Sequence, residues 1–205
     1  MSSSVLSRLK IRRLFFYCSI VFLCKLRAFL YLILFSDNSP KLAKTKILQP
    51  TQFVGRGNIN AGACQLGVLR SPGLLTCSGY IESRHKSAKV LIGDETVINN
   101  NFVIIADRTG VTIKERCLIG PNFFVCDSDF HGLSLAERGS SGKCTPVVIE
   151  SDVFIGEGVK IMKGVTVGRG SVIGSGSVVV TDVESDSVYA GVPARKIKTL
   201  LFNSN

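Results

Sequence analysis

The chain has 205 residues, 45% of them hydrophobic, with 20 Gly, 7 Cys, 2 His and no Trp. That apolar content excludes a disordered chain, and the length removes any need for disulfides to build a core. Two histidines exclude a metal site or mechanism that needs three. The net charge of +10 raises nucleic acid and membrane as partners, and its distribution bears on both. Residues 1–50 carry Arg8, Lys10, Arg12, Arg13, Lys25, Arg27, Lys41, Lys44 and Lys46 against Asp37 alone, a net +8, and the remaining 155 residues carry +2. A nucleic-acid-binding fold places a basic stripe with interleaved aromatic platforms on its folded body. No such stripe is visible, so nucleic acid is not an expected partner.

The basic start runs into Leu14–Phe35, 22 residues of mostly apolar side chains that predict a helix. A helix of that length reaches across about 30 Å of hydrocarbon. Lys25 and Arg27 sit near its middle, where each charge costs roughly 2.5–3.5 kcal/mol against about 0.3–0.6 returned by each strong apolar residue, so spanning is marginal. The same two charges break a secretory signal, and no small-x-small cleavage site follows. The basic residues scatter around the helix instead of forming one polar face. So large an apolar run must be buried against something: the inner face of a membrane, with Arg8–Arg13 near anionic headgroups, another subunit, or its own domain. The expectation is peripheral membrane-surface association through residues 1–35.

The cysteines are Cys18, Cys24, Cys64, Cys77, Cys117, Cys126 and Cys144. Their number is odd, and no Cys-x-x-Cys pair or Cys/His cluster has zinc spacing. Isolated cysteines of this kind behave as small buried residues in a reducing compartment, which predicts a cytoplasmic protein. Cys126 lies close in sequence to His131 and is a rival candidate for a nucleophile.

From residue 92 onward a period of six dominates. Ile149, Ile155, Ile161, Val167, Ile173 and Val179 are six aliphatic residues at that spacing, with Val153, Val159, Val165, Ser171, Ser177 and Val183 four positions after each. The register also holds at Ile92, Ile98 and Ile104, shifts by three, and resumes at Ile113, Ile119 and Val125. Phe53, Ile59 and Gln65 extend it upstream, and residues 66–91 lose it. A helix repeats at 3.6 and a strand at 2, so neither alone gives six. A short strand and a turn forming one side of a triangular coil does, with each aliphatic residue stacking on the one about eighteen further on. Such hexapeptide repeats predict an all-β parallel β-helix. Gly191 and Pro193 break the period and predict the end of the stack with a short cap.

Between Val125 and Val147 the repeat stops for a polar stretch holding Asp127, Asp129, His131, Glu137 and Arg138, followed by the flexible run Gly139–Gly142. Insertions at solenoid corners often build the working face. An imidazole in such a loop, beside two carboxylates, is a natural general base because its free pKa lies near neutrality. His85, within Ser83–Ser87, reads as an ordinary surface histidine.

Ile92-Gly93-Asp94, Ile119-Gly120-Pro121-Asn122, the His131 loop, Val153-Phe154-Ile155-Gly156, Ile173-Gly174-Ser175-Gly176-Ser177 and Ala190-Gly191-Val192-Pro193-Ala194 form an ordered set. In this the chain resembles the hexapeptide-repeat acyltransferases, in the branch of sugar and polysaccharide O-acetyltransferases related to galactoside and maltose acetyltransferases. The resemblance covers roughly residues 90–198. It implies a left-handed parallel β-helix, a homotrimer with active sites between subunits, acetyl-CoA as donor and a sugar or glycan hydroxyl as acceptor, with no metal required. By position His131 is similar to the family's catalytic base and Asn99 to the asparagine that binds the acceptor. Asp127 and Asp129 stand either to orient the imidazole or to bind a sugar hydroxyl, and with Arg138 they complete the candidate acceptor side. Phe154, Gly156, Ser175, Gly176, Ser177, Thr181, Arg195 and Lys196 resemble the groove for coenzyme A. Phe154 stands where the family usually has Trp, and His131-Gly132 replaces its His-Pro, which implies a looser loop. The expected organisation is a basic, hydrophobic segment over 1–49, a β-helix over 50–189 with an inserted loop at 126–146, and a cap over 190–205. An N-acetyltransferase of an amino sugar and a non-catalytic β-helix scaffold are the rival readings.

Overall fold

The computed structural model describes residues 3–200, and side chains from residue 12. The side chains of Arg8 and Lys10 in the basic cluster, and the last five residues of the expected cap, therefore lie outside what is described. Three parallel sheets form the walls of a left-handed β-helix. The first contains Lys41–Leu42, Asn58–Ala61, Lys89–Ile92, Gly110–Ile113, Val147–Ile149 and Thr166–Val167. The second contains Lys46–Ile47, Gln65–Leu66, Val97–Ile98, Leu118–Ile119, Phe154–Ile155 and Val172–Ile173, and ends in Ser187–Gly191 and Ala194–Thr199. The third contains Thr51–Val54, Gly79–Ser83, Val103–Ala106, Phe124–Cys126, Lys160–Ile161 and Val178–Val179. Paired strands begin at Lys41, so the ladder takes in residues assigned from sequence to the N-terminal segment. Ser187–Gly191 and Ala194–Thr199 pair antiparallel, and this hairpin closes the stack.

The period of six is the inward side of the wall. Ile149, Ile155, Ile161, Val167 and Ile173 are fully buried, and Val179 nearly so. Each lies beside its repeat one turn away: Ile149 on Val167, Ile155 on Ile173, Ile161 on Val179. Earlier turns pair Ile92 with Ile113, Ile98 with Ile119 and Ile104 with Val125. The shift of three is the longer corner between Val103–Ala106 and Gly110–Ile113, which adds residues without disturbing the inward column. At Ser171 and Ser177 a hydroxyl replaces an aliphatic corner residue and donates to the carbonyl of Gly168 or Gly174. Gln65 does not continue the column. Leu66 is the buried residue there, paired with Ile98, and Gln65 points outward.

Helix α1 spans Ser3–Leu34. It covers the open first turn of the coil with a narrow strip, Cys24, Ala28 and Leu32, leaving Phe15, Phe16, Phe22, Phe29 and Ile33 exposed. Its exit is clipped to the coil. Ser36 Oγ accepts the Phe53 N–H at 3.0 Å, Asp37 accepts the Gly55 N–H at 2.8 Å, and the Asn38 amide donates to the Gly55 and Gly57 carbonyls.

Candidate functional site

His131 leaves the coil at the corner between the third and first sheets, after Phe124–Cys126. Its loop is a ribbon. Ser128 bridges Cys144 in antiparallel fashion, the Asp129 N–H donates to the Lys143 carbonyl, and the Gly132 N–H donates to the Ser140 carbonyl. The His131 N–H donates to the Asp129 carbonyl at 2.7 Å, and its side chain is exposed. Of the three glycines expected to loosen the loop, Gly139 stands in open space, and Gly132 and Gly142 instead let it pack tightly. A Cβ on Gly142 would lie 2.7 Å from the His131 carbonyl oxygen, and one on Gly132 would overlap the Glu137 carbonyl. Beside His131 a cleft of about 420 Å³ is lined by Asp129, Gly132, Glu137, Ser140, Lys143 and Lys163, among others.

The two nearby aspartates play different parts. Asp129 lines the cleft, with Lys163 Nζ 3.2 Å from its Oδ2. Asp127 is fully buried, which corrects its placement on the acceptor side. Its carboxylate accepts the Asp107 N–H at 2.6 Å, the Thr109 N–H at 2.9 Å and the Thr109 hydroxyl at 2.7 Å, so its bonding capacity is used inside the coil corner. A buried charge is stable only with such partners. Arg138 is exposed at the far end of the loop and donates to the Leu133 carbonyl at 3.3 Å. Cys126 is buried, and burial pushes its thiol pKa up, opposite to what a nucleophilic thiolate needs.

Asn99 occupies a different corner, between the second and third sheets. Its Oδ1 accepts the Asn100 N–H at 2.7 Å, which fixes the side chain. Together with Val68, Val97, Leu118, Gly120 and Phe154 it lines a hollow of about 200 Å³. Phe154 is 50% exposed on the outer face of the second sheet. It belongs to an in-register outward column, Val97, Leu118, Phe154, Val172 and Val188. Gly156 and Ser175 follow on the corner above Asn99, so close that a Cβ on Gly156 would lie 2.6 Å from the Ser175 nitrogen. Ser175, Gly176, Thr181, Arg195 and Lys196 are exposed near the end of the stack, and Lys196 pairs with Glu184 at 2.5 Å. Ser177 is buried, donating to the Gly174 carbonyl and accepting the Gly191 N–H, so its hydroxyl faces the coil and not a groove.

Residues 67–78, inside the stretch where the period is lost, form an insertion at the Asn99 corner. The buried Asn100 staples it, with Nδ2 donating to the Val68, Ser71 and Pro72 carbonyls and Oδ1 accepting the Val68 N–H. Arg27 of helix α1 donates to the Leu74 carbonyl at 3.0 Å, joining the helix to this corner. The pair Pro72-Gly73 was the available turn signal.

Residues 146–181 match the family of bacterial transferase hexapeptide repeats (six repeats). A polysialic acid O-acetyltransferase of Escherichia coli O1:K1 / APEC is 40% identical over 114 residues, 55% of this chain and 37% of that protein. A hexapeptide-repeat acetyltransferase from Vibrio cholerae O1 biovar eltor, solved with acetyl coenzyme A, is 39% identical with a TM-score of 0.52, over 57% of this chain and 62% of that one. A polySia-specific acetyltransferase structure is 28% identical with a TM-score of 0.59, over 81% of this chain and 77% of that one. The chain thus spans 37% of the curated relative's length and 62% of the Vibrio structure's.

Proposed function

We propose that this hexapeptide-repeat chain is an acetyl-CoA-dependent O-acetyltransferase acting on a hydroxyl of a sugar or cell-surface polysaccharide precursor. The observation that carries the reading is His131, an exposed imidazole on a tightly held ribbon beside a cleft, in a coil similar to acetyltransferases of sugar polymers. His131 accepts the proton of the acceptor hydroxyl as its oxygen attacks the thioester carbonyl. The tetrahedral intermediate collapses with loss of the CoA thiolate, which takes the proton back from the imidazolium. A general base in this role contributes on the order of 100- to 10,000-fold. Backbone N–H groups at a coil edge stabilise the oxyanion, and a thioester is reactive enough to need no metal.

Asn99 and Phe154 form the acceptor and donor side of the site, with Gly156, Ser175, Gly176, Thr181, Arg195 and Lys196 along the coenzyme path. Because His131 and Asn99 leave the coil at different corners, a site that uses both draws one from each of two copies. The outward column from Val97 to Val188 is the surface on which copies meet, in a homotrimer. The enzyme is cytoplasmic and sits on the inner membrane face. Exposed phenylalanines of α1, with Arg12, Arg13 and the first-turn lysines Lys41, Lys44 and Lys46, suit an anionic bilayer surface. Arg27 on the Leu74 carbonyl then sets the acceptor corner close to that surface, where a membrane-assembled glycan is presented.

Incubating the protein with labelled acetyl-CoA and a panel of glycans, amino sugars included, tests the reaction. Label on an acceptor hydroxyl supports it; no transfer, with no thermal shift from CoA, sinks it. Fractionation of the full chain with Phe15, Phe16, Phe22 and Phe29 changed to serine tests the membrane site. An unaltered chain that remains soluble refutes it.

A further inference from the structure

Among the described residues no hydrogen bond holds the His131 ring, so its position depends on the backbone that carries it. That backbone is fixed from two earlier turns of the coil. Arg84 lies at the end of the strand Gly79–Ser83, and its guanidinium is held along two edges. Nε and Nη2 donate to Glu82 at 2.7 and 3.2 Å, and Nη1 donates to Asp107 at 3.2 Å. Both carboxylates are nearly buried, at 8% and 3% exposure. The guanidinium carbon lies over the ring of Phe130, 5.1 Å from its centroid.

Phe130 is the residue before His131 and holds a left-handed backbone, φ 63°. A bulky residue adopts that region only under constraint. Its N–H donates to Ser128 Oγ at 2.9 Å. The Ser128 hydroxyl and the Cys144 thiol, on the two strands of the ribbon, both donate to Asp107 Oδ2, at 3.4 and 3.3 Å. One oxygen of Asp107 thus holds Arg84, and the other holds the base of the loop. His85 Nε2 lies 3.6 Å from the first oxygen and Arg108 Nε 3.9 Å from the second.

We infer that Arg84, acting through its cation–ring contact with Phe130, is the positioning residue for His131. The inference rests on the reading of His131 given above. An ordinary structural ion pair would require only a positive charge between Glu82 and Asp107, which lysine supplies. Gripping two carboxylates along two edges while lying over an aromatic ring needs the guanidinium fork, which lysine lacks.

The test separates the two roles. Arg84→Lys and Phe130→Leu are each expected to lower kcat roughly 10- to 100-fold, the scale of an ångström of misplacement, while KM for acetyl-CoA stays unchanged. Phe130→Trp, which keeps an aromatic face, is expected to restore turnover. In the double variant the losses should not multiply, agreeing with the larger single loss to within about twofold. Hydrogen exchange across residues 128–133 should accelerate in Arg84→Lys and Phe130→Leu, a readout independent of any acceptor. Wild-type kcat in both single variants, or multiplicative losses in the double one, overturns the inference. If His131→Ala kills transfer while Phe130→Leu does not, the positioning role alone is wrong. Turnover that survives His131→Ala removes the reading beneath it.

Discussion

The last regular turns of the coil, residues 147–182, and the turns before them share one plan and differ at their corners. In the later turns rungs repeat every eighteen residues, and tight turns at Gly158, Gly164, Gly170 and Gly176 take positive φ. Between Thr51 and Ile113 the first- and third-sheet strands have four or five residues, and the corners of these earlier turns are wider, including 67–78 and the His131 loop. Every buried carboxylate among the described residues, Glu82, Asp107 and Asp127, lies at the end of a third-sheet strand in those earlier turns. The regular turns bury only apolar and hydroxyl groups. Regularity therefore builds a stiff stack, and the corners that abandon it bear the polar groups that aim His131.

The contrast is broken most strongly from inside the regular stack. Ile161→Ala leaves a cavity between Val125 and Val179 and should cost about 2–5 kcal/mol, read from denaturant unfolding. In the early turns the counterpart is Asp127→Asn, which keeps the shape but turns one of the two acceptor oxygens into an NH2 donor facing either the Asp107 N–H or the Thr109 N–H. It should cost on the order of 2 kcal/mol and speed hydrogen exchange at 107–109. An unchanged unfolding midpoint would show that this corner does not depend on the carboxylate.

Gly142→Ala sharpens the comparison because its expected cost in stability, about 1–3 kcal/mol, is smaller than its effect on the reaction. The added methyl pushes the His131 backbone, so kcat should fall while CoA binding persists. The smallest effect belongs to the exposed ladder of Asp152 with Arg116 and Arg169. The Arg116 hydrogen bond holds the Asp152 carboxyl below its ordinary value of 3.8. A depressed pKa stabilises the fold above the ordinary value, and that contribution is lost as pH falls through the folded one. Asp152→Asn should thus lower the melting temperature slightly at neutral pH. The difference from the unaltered chain should vanish on acidification below the usual aspartate range and shrink in salt.

The coil was legible because its signal is periodic: an inward aliphatic residue every six positions survives a change of any single one. Gly120, Gly156 and Gly174 each directly follow an inward residue of one paired column, Ile119, Ile155 and Ile173. Where the register was lost, the detail of the corner was lost with it. Gln65 was one position from the buried Leu66, and the insertion at 67–78 carries turn residues without a period. Asp127 and Asp129 look alike in sequence. They part because one lies on the inward side of the corner and the other on the cleft, a distinction fixed by Thr109 and Lys163, eighteen residues before one and thirty-four after the other. Arg84 over Phe130 leaves no trace in the sequence, since contacts between turns join positions whose spacing depends on every corner between them.

The most direct measurement is acetyl transfer from labelled acetyl-CoA to the accepted glycan by the unaltered chain and by His131→Ala, with CoA binding followed by thermal shift. Loss of transfer on the order of 100- to 10,000-fold, with the CoA shift preserved, is the predicted result. Near-normal turnover in His131→Ala would contradict the assignment of His131 as the base.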